Sequence, residues 1–579
     1  MANEEKNYSE YINENESRKQ IYREACNELK ANNTDYKAFY MLYKFYCESN
    51  EQQAFLCLEN AIYFLEKKIK KIGNTTNIED EKNIEDLYDI NRELSDMKKE
   101  LDDLWNKLKK EGKPVQQVSI VILSYNGKEI TENCIESIRK TVDMDKTEVV
   151  VVDNDSIDGS QEYLKKQKDI KVILSEENLG FPGGCNLGIK NSKMDNDIFL
   201  LNNDTQVAEN SLFWLRMGLY ENKKVGATGS MANSVSNEQQ VGKENITPEE
   251  ALEFSKGINV ATERPYILKS KLIGFAMLIK RKAMDEIGML DERFKPGNFE
   301  DDDYSLRLIE AGYRLLLCKN SYIYHIGSAS FKKNQKSLSD VFIRNRKKFE
   351  DKWGFDSGNM SFVEKNYLKF FPKDRDAVFS ICELGANLGN TLSYIKSEYP
   401  NARVYGVEEN KNIAQIAQKY MDGIYLASFN KGIRLVSEEN QFDYVVCSNV
   451  LEKVENVEEM LKSIYIKLKD TGRFIISVDN FMNYFIINKI IRGSVENEVR
   501  GALKKENRRG FSIYDAIKVI EDNQFRVIDV YENKYQFCGR DEVEYNEIRE
   551  TVNALSGIIP EPVLEQYDTQ RYYIIAEKI

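Results

Sequence analysis

The amino-acid sequence predicts an α/β protein in which an all-helical segment precedes two successive α/β domains. Three observations carry this. Residues 1–112 hold almost no Gly or Pro and place apolar residues at helical spacing. From Val118 the texture changes to short continuous apolar runs, "VSIVILSY", "EVVVVDN", "KVILSE" and "DIFLLNND", separated by polar stretches. Runs of this kind are strands buried on both faces, as in a parallel sheet flanked by helices. After a polar, aromatic-bearing stretch near 352–376 the texture restarts at "AVFSICELGANLGNT" and continues through "ARVYGVEE", "FDYVVCSN" and "GRFIISVD". The domains expected are therefore 1–112, 116–352 and 374–579.

Within the helical segment, Ala38, Leu42, Phe45, Ala54, Leu58, Ala61 and Leu65 describe two packed helices with a turn near "ESNEQ", in the manner of one tetratricopeptide-type hairpin. A single hairpin cannot bury its own face, so it must lean on something else. Leu87, Ile90, Leu94, Met97, Leu101, Leu104 and Leu108 then follow in alternating steps of three and four, a heptad seam. A long helix packed on its own chain is the favoured reading. The alternative is a coiled coil with a second copy of the chain, which would make the protein a homodimer.

The bulk numbers exclude several classes. A chain of 579 residues with 41% hydrophobic and 31% charged content is a multidomain globular protein. A net charge of −13 argues against nucleic acid as partner. The polar opening "MANEEKNYSEYINENE" and the lack of a long apolar run predict neither a secretory leader nor a transmembrane segment, hence a cytoplasmic protein. Nine cysteines without a C-x-x-C pair read as reduced core residues. The single histidine, His325, rules out a multi-histidine metal centre and leaves acid–base chemistry elsewhere to carboxylate, Tyr, Lys or Cys.

In the first α/β domain four strand ends stand out: "SYNG", "DNDSIDGS", "ENLGFPGGCNLGI" and "LNNDT". Ligands of open α/β sheets bind at the carboxyl ends of strands. Asp153 and Asp155 at a strand tip could accept hydrogen bonds from a nucleobase N–H or from ribose hydroxyls. Gly180, Gly183 and Gly184 would let backbone approach a sugar or phosphate, and Asp204 could hold a hard cation beside a diphosphate. Singly, each has a plainer explanation, since Asp–Gly and Asn–Asp pairs commonly just make turns. Further on, "GNFEDDDYSLR" sets Glu300, Asp301, Asp302 and Asp303 side by side. Capping of the following helix is one reading; a catalytic base is the other.

These stretches, with "GFAMLIKRKAMDEIGMLDERF", "FEDDDYSLRLIEAGYR" and "YHIGSAS", occur in one order over roughly 118–350 and resemble the family-2 glycosyltransferases of GT-A fold, especially the rhamnosyltransferase-like branch. The resemblance implies that Tyr125, Asn126, Asp153 and Asp155 hold the nucleoside of a nucleotide-sugar donor, a UDP- or dTDP-sugar. Asn178, Gly180, Phe181, Gly184, Asn186 and Asn203 would line the donor site. "LNNDT" stands where the family has its Asp-x-Asp signature, with Asn202 in place of the first acid. Asp204 and His325 would then hold Mn²⁺ or Mg²⁺ at the diphosphate. Asp301 would be the general base of an inverting transfer, and clustering should raise one carboxyl pKa into a useful range. Asp303 and Glu300 read as support, through a helix cap, acceptor hydrogen bonds or a partner for Arg307.

In the second α/β domain "CELGANLGNT" follows a strand and precedes a helix, and Glu408 ends the next strand. A Gly385-x-x-x-Gly389 turn with an acid about twenty residues on suits a ribose-bearing ligand such as adenosine. Over roughly 376–535 the chain resembles the class I S-adenosylmethionine-dependent methyltransferases. That implies a cofactor site at Glu383, Gly385, Gly389 and Glu408, with Ser428 as the counterpart of the residue that holds the adenine amine. Lys453 stands where many relatives carry His, so this domain shows no evident base. The function expected is transfer of a sugar to a glycan or protein acceptor, of the surface-glycan or flagellin type, followed by methylation of the product. The alternative is a glycan-assembly scaffold whose methyltransferase-like domain only binds.

Overall fold

A computed structural model describes residues 18–75, 81–242, 246–327, 335–431, 441–493, 502–503, 507–535, 546, 549–550 and 564–579. The chain forms two compact units, Met1–Ser357 and Gly358–Ile579.

The first unit opens with helices at 18–31, Tyr36–Tyr46, Glu51–Thr75 and Glu81–Lys110. Asp35 starts the second by accepting the N–H of Lys37, as N-cap carboxylates do. Ala38, Leu42, Ala54, Leu58, Ala61 and Leu65 are fully buried, so the expected hairpin face is the buried one. What it leans on is the first α/β sheet's helical layer. Phe39 meets Phe213 edge to face with centroids 5.1 Å apart, and the Gln53 amide donates to the Met217 carbonyl at 2.9 Å. Arg216 pairs with Glu59 at 2.6 Å. The heptad seam lies on the same core: Met97 and Leu108 are buried, with Ile90, Leu94, Leu101 and Leu104 packed against it.

The nine strands of this unit are β1 (Val118–Ser124), β2 (Thr147–Asp153), β3 (Lys171–Leu174), β4 (Asp197–Asn202), β5 (Thr205–Val207), β6 (Val225–Met231), β7 (Tyr266–Lys269), β8 (Ala276–Ile279) and β9 (Arg314–His325). They form one sheet in the order β3-β2-β1-β4-β8-β6-β9-β5, with β7 also on β9. β3, β2, β1 and β4 are parallel, as their apolar runs predict. Beyond β4 the sheet is mixed: β6 and β9 are parallel, while β8 runs antiparallel to β4 and β6, and β5 and β7 antiparallel to β9. Only Asn203 and Asp204 separate β4 from β5, which pairs with β9 at the far end of the strand order. Because the chain returns to the other side of β1 to make β4, a crevice opens at the carboxyl ends of these two strands.

In the second unit, β10 (Ser380–Leu384), β11 (Arg403–Glu408), β12 (Gly423–Leu426), β13 (Phe442–Ser448), β14 (Leu468–Asp479), β15 (Phe525–Lys534) and β16 (Thr569–Lys578) take the order β12-β11-β10-β13-β14-β16-β15. The first five are parallel, and β16 is antiparallel to both neighbours. Side-chain alternation along β10 sends Cys382 and Leu384 into one apolar layer and Ile381 into the other. The order again reverses at the first strand, placing a crevice at the carboxyl ends of β10 and β13.

Candidate active site

The loops leaving β1, β2 and β3 are tied to one another by side chains. Asn126, at φ 45°, donates its N–H to Ser156 Oγ and accepts that of Ile157, both at 3.0 Å. Asp158 Oδ2 takes the N–H groups of Gly127 and Lys128 at 2.6 and 3.0 Å. Burial opposes ionisation of Asp158, but the Ser160 hydroxyl and these amides outweigh it and lower its pKa. Asn154 bridges to the third loop, donating to Asn178 Oδ1 at 3.0 Å and accepting the Leu179 N–H at 2.9 Å. Sequence reading passed over Asn154, Ser156 and Asp158 because such residues are common in turns; their pairing across loops is the only signal.

Asp153 is fully buried at the end of β2. Its Oδ1 accepts the Ser156 N–H at 2.9 Å, and its Oδ2 has no protein partner. An unpartnered buried carboxylate oxygen costs free energy unless a ligand or water donates to it. A nucleobase N–H or a ribose hydroxyl fits that need. Tyr125 and Asp155 stand exposed beside it, Asp155 at φ 68°.

Residues Gly180–Lys190 form a helix, and its glycines lie against neighbouring protein. Gly180 has φ 71°, and a Cβ there would come within 2.9 Å of Pro296 Cα. A Cβ on Gly184 would lie 2.3 Å from Leu123 Cδ1 on β1. Asn186, expected in the donor pocket, instead holds the loop before the acidic helix. Its amide donates to the Leu290 carbonyl and to Glu292 Oε1, both at 2.9 Å, and its oxygen accepts the Leu290 N–H at 3.0 Å. Phe181 borders the same loop through its N–H, donated to the Pro296 carbonyl at 2.7 Å.

Asp204 and His325 meet because β5 pairs with the end of β9, where Thr205 lies opposite His325. His325 Nε2 is 3.2 Å from Asp204 Oδ1, and its Nδ1 is 2.6 Å from the Ser234 carbonyl. The carbonyl accepts only, so Nδ1 carries hydrogen. A neutral ring then turns its Nε2 lone pair toward a carboxylate, an arrangement that calls for a proton or a cation. Among the described residues no three His, Cys, Asp or Glu side chains stand together as a metal site. Two protein ligands completed by diphosphate oxygens and water suit Mg²⁺ or Mn²⁺. Asn202 Oδ1 is buried without a partner, and Asn203 donates to Thr131 Oγ1 at 3.0 Å. Residues 328–330, the end of "YHIGSAS", lie outside the described residues.

The acidic cluster forms the first turn of the helix Glu300–Glu310. The residue at its N-cap is Phe299, at φ 74° and without a side-chain cap bond, so the carboxylates meet the free N–H groups from within the first turn. Asp301 Oδ2 accepts the Gly274 N–H and Oδ1 that of Asp302, both at 2.9 Å. Asp302 pairs with Lys271 at 3.0 Å, and Asp303 with Arg307 at 2.9 Å. The pKa rise expected of the cluster falls on the two buried neighbours. Burial, then the charge of Asp301, pushes Glu300 well above the usual range. Burial also lifts Asp302 to about 6 against the pull of Lys271.

A short run joins the two halves of the site. Gly274 holds Asp301, while the next residue, Phe275, stacks on His325 with centroids 5.0 Å apart and accepts the Asn202 N–H at 2.8 Å. The two residues leading into β8 thus hold the candidate base by a hydrogen bond and back the candidate cation ligand.

In the second unit Gly385, at φ 77°, and Asn387, at φ 49°, shape the turn after β10. Glu408 accepts the N–H groups of Asn387 and Asn410 at 3.0 and 2.8 Å. The carboxylate has acceptor capacity beyond these bonds, so it fits a ribose diol while also closing the turn. The glycines again accommodate protein: a Cβ on Gly385 would meet Val450 at 2.7 Å, and one on Gly389 would meet Met421 at 2.8 Å. Glu383 is buried, accepts the Ser448 hydroxyl at 2.8 Å and leaves Oε2 unpartnered. Burial pushes its pKa to about 8. Ser428 is exposed after β12. Glu452, beside Lys453 and unnoticed in the sequence, is buried with Oε2 unpartnered, and burial lifts it to about 7.

Comparison with known proteins agrees with this division. Residues 119–288 match the family model described as glycosyl transferase family 2, and 382–474 match one described as a methyltransferase domain. An uncharacterized glycosyltransferase, YfnE, of Bacillus subtilis is 26% identical over 268 residues, 39% of this chain and 68% of that protein. The poly-beta-1,6-N-acetyl-D-glucosamine synthase of Staphylococcus epidermidis is 22% identical over 189 residues, 32% of this chain; the match spans only 44% of the synthase. Among solved structures, a mannosyltransferase of Pyrobaculum calidifontis in complex with GDP-Man and Mn²⁺ superposes with TM-score 0.30 at 16% identity, covering 39% of this chain and 60% of that one. A SAM-dependent methyltransferase of Archaeoglobus fulgidus superposes with TM-score 0.27 at 18% identity, covering 40% and 98%. No helix among the described residues is long and apolar enough to cross a membrane.

Proposed function

We propose that this transferase, whose chain joins a family-2 glycosyltransferase domain to a methyltransferase domain, moves a sugar from a UDP- or dTDP-sugar to a hydroxyl of a glycan or protein acceptor with inversion. Asp153 accepts hydrogen bonds from the nucleoside, with Tyr125, Asn126 and Asp155 around it. Asp301 takes the proton of the acceptor hydroxyl as its oxygen bonds to the anomeric carbon. The bond from that carbon to the diphosphate breaks on the opposite face, and nucleoside diphosphate leaves. A divalent cation held by Asp204 and His325 would supply the positive charge that neutralises this leaving group. The observation that carries the reading is the run Gly274–Phe275, which links the Asp301 carboxylate to the His325–Asp204 pair.

The second unit binds S-adenosylmethionine through Glu408, Glu383 and the turn at Gly385 to Gly389. Bound there, the cofactor would supply a methyl group for the glycosylated product. Joining two sites in one chain raises the local concentration of the intermediate at the second.

The test is donor turnover across a panel of UDP- and dTDP-sugars with Mn²⁺ or Mg²⁺, read as release of nucleoside diphosphate. Asp301→Asn should lower turnover about a hundredfold or more while leaving UDP affinity intact. Retained turnover, or a product of retained anomeric configuration, defeats the mechanism. Calorimetry with S-adenosylmethionine, and Glu408→Ala as control, tests the second unit.

A further inference from the structure

The reading of Asp301 as base leaves an unexplained charge directly behind it. Lys271 is only 8% exposed although it belongs to a segment, "KSKLIGF", that runs across the surface of the acidic turn. Lysine is almost never buried unless paired. Here Nζ lies 3.0 Å from Asp302 Oδ1 and 3.3 Å from Oδ2. Burial pulls the lysine pKa down, but the carboxylates of Asp302 and then Asp301 outweigh it, so the ammonium stays charged.

The same segment touches the helix at three successive points. Lys271 holds Asp302 by its side chain, Leu272 donates its N–H to Ser305 Oγ at 3.1 Å, and Gly274 donates its N–H to Asp301 Oδ2 at 2.9 Å. Ile273 is fixed from the other side by Gln239, whose Oε1 accepts its N–H at 2.8 Å. The strap is thus pinned at four consecutive residues, and the ion pair is the first of these anchors along the chain.

We propose that Lys271 is a positioning residue for sugar transfer: its buried ammonium, paired with Asp302, locks the strap that delivers the Gly274 N–H to Asp301 and sets a positive charge behind that carboxylate. Among the described residues, the other cations paired with the acids of the first turn are Arg307 and Lys352, both on Asp303. The other groups facing the pair are Glu238, itself bonded to Lys269, and Cys185, which lies near Glu300. None of these supplies positive charge at Asp301. Lys271 acts through Asp301 and its neighbours, not on the substrate.

The proposal rests on Asp301 being the base, and the experiment separates the two. Carboxyl labelling of the whole protein with a water-soluble carbodiimide and glycine ethyl ester, resolved to single residues by tandem mass spectrometry, follows protonation at Asp301 without any substrate. In Lys271→Gln, Asp301 labelling should persist to a pH higher by about one unit. Lys271→Arg should keep the wild-type curve. The acidic limb of the pH–turnover profile should move with the labelling curve in Lys271→Gln, with kcat lowered, KM for the donor unchanged and Lys271→Arg partly restoring kcat. Thermal melting identifies a variant that fails to fold; if Lys271→Gln does, Lys271→Arg still decides, because a shifted curve in that charge-retaining variant overturns the proposal. Coincident curves in all three proteins, with turnover abolished in Asp301→Asn, defeat the role of Lys271 alone. Full turnover in Asp301→Asn defeats the functional reading and the proposal with it.

Discussion

Asp204 and His325 face each other at 3.2 Å, although 120 residues of chain lie between them, because the short β5 pairs with the last residues of β9. The imidazole is fixed from behind by the Ser234 carbonyl and from the side by the Phe275 ring. Its Nε2 therefore has one orientation. Replacing either residue should weaken Mn²⁺ binding in the presence of UDP by about tenfold or more. Titration of the Mn²⁺ paramagnetic resonance signal against Asp204→Asn and His325→Ala measures this. The double variant should lose little beyond the worse single one, since both serve one ion.

Asp153→Asn is a conservative change that tests the nucleoside corner. Its remaining oxygen still accepts the Ser156 N–H, so the loop should hold. What disappears is a charged acceptor left unpartnered in the protein. Hydrogen bonds to charged groups contribute about 1.5–3 kcal/mol. UDP affinity should fall about tenfold or more by calorimetry, with the melting temperature nearly unchanged. Unaltered affinity would remove Asp153 from the donor site.

Glu383 makes stability depend on pH. Its pKa rises from 4.5 to about 8 on folding, through burial first, with Ser448 opposing and the charges of Glu364 and Glu408 adding. Below the unfolded value both states hold the proton. Between about 4.5 and 8 the unfolded chain releases it and the folded chain keeps it, so stability falls with rising pH, by up to about 1.4 kcal/mol per pH unit. Glu383→Gln should flatten that slope and melt higher than wild type at pH 8. Parallel melting curves from pH 5 to pH 8 would contradict it.

Gly184→Ala should destabilise the first unit by about 1–3 kcal/mol, because the new methyl would overlap Leu123 on β1. Leu123→Ala should recover part of that loss in the double variant, read by denaturant unfolding. Ligand affinity should not change more than stability does, since this glycine serves helix-on-strand packing.

The parts of the fold legible in the sequence are those whose strands lie between helical layers. β1, β2, β4, β10 and β13 are continuous apolar runs because both faces are covered. β6, "VGATGSM", is buried along its whole length yet built of small and hydroxyl-bearing residues, so no hydrophobic run marks it. Its Gly229 sits where a larger side chain would collide with a neighbour, since a Cβ placed there would come within 2.9 Å of Leu272. In the site, Asp153, Asp204, His325 and Asp301 carried a signal through motif resemblance. Lys271 carried none, since a lysine between polar and apolar residues reads as surface. The glycines signalled close approach, which does not by itself state whether the visitor is ligand or protein.

The opening helices have a consequence for how the chain can be divided. Phe39 sits on Phe213, Gln53 on the Met217 carbonyl and Glu59 on Arg216. Trimming the chain back to Val118 would strip Phe213, Trp214 and Met217 of their cover and strand a guanidinium in an apolar wall. The first unit therefore begins well upstream of its first strand, and the opening helices are its outer wall.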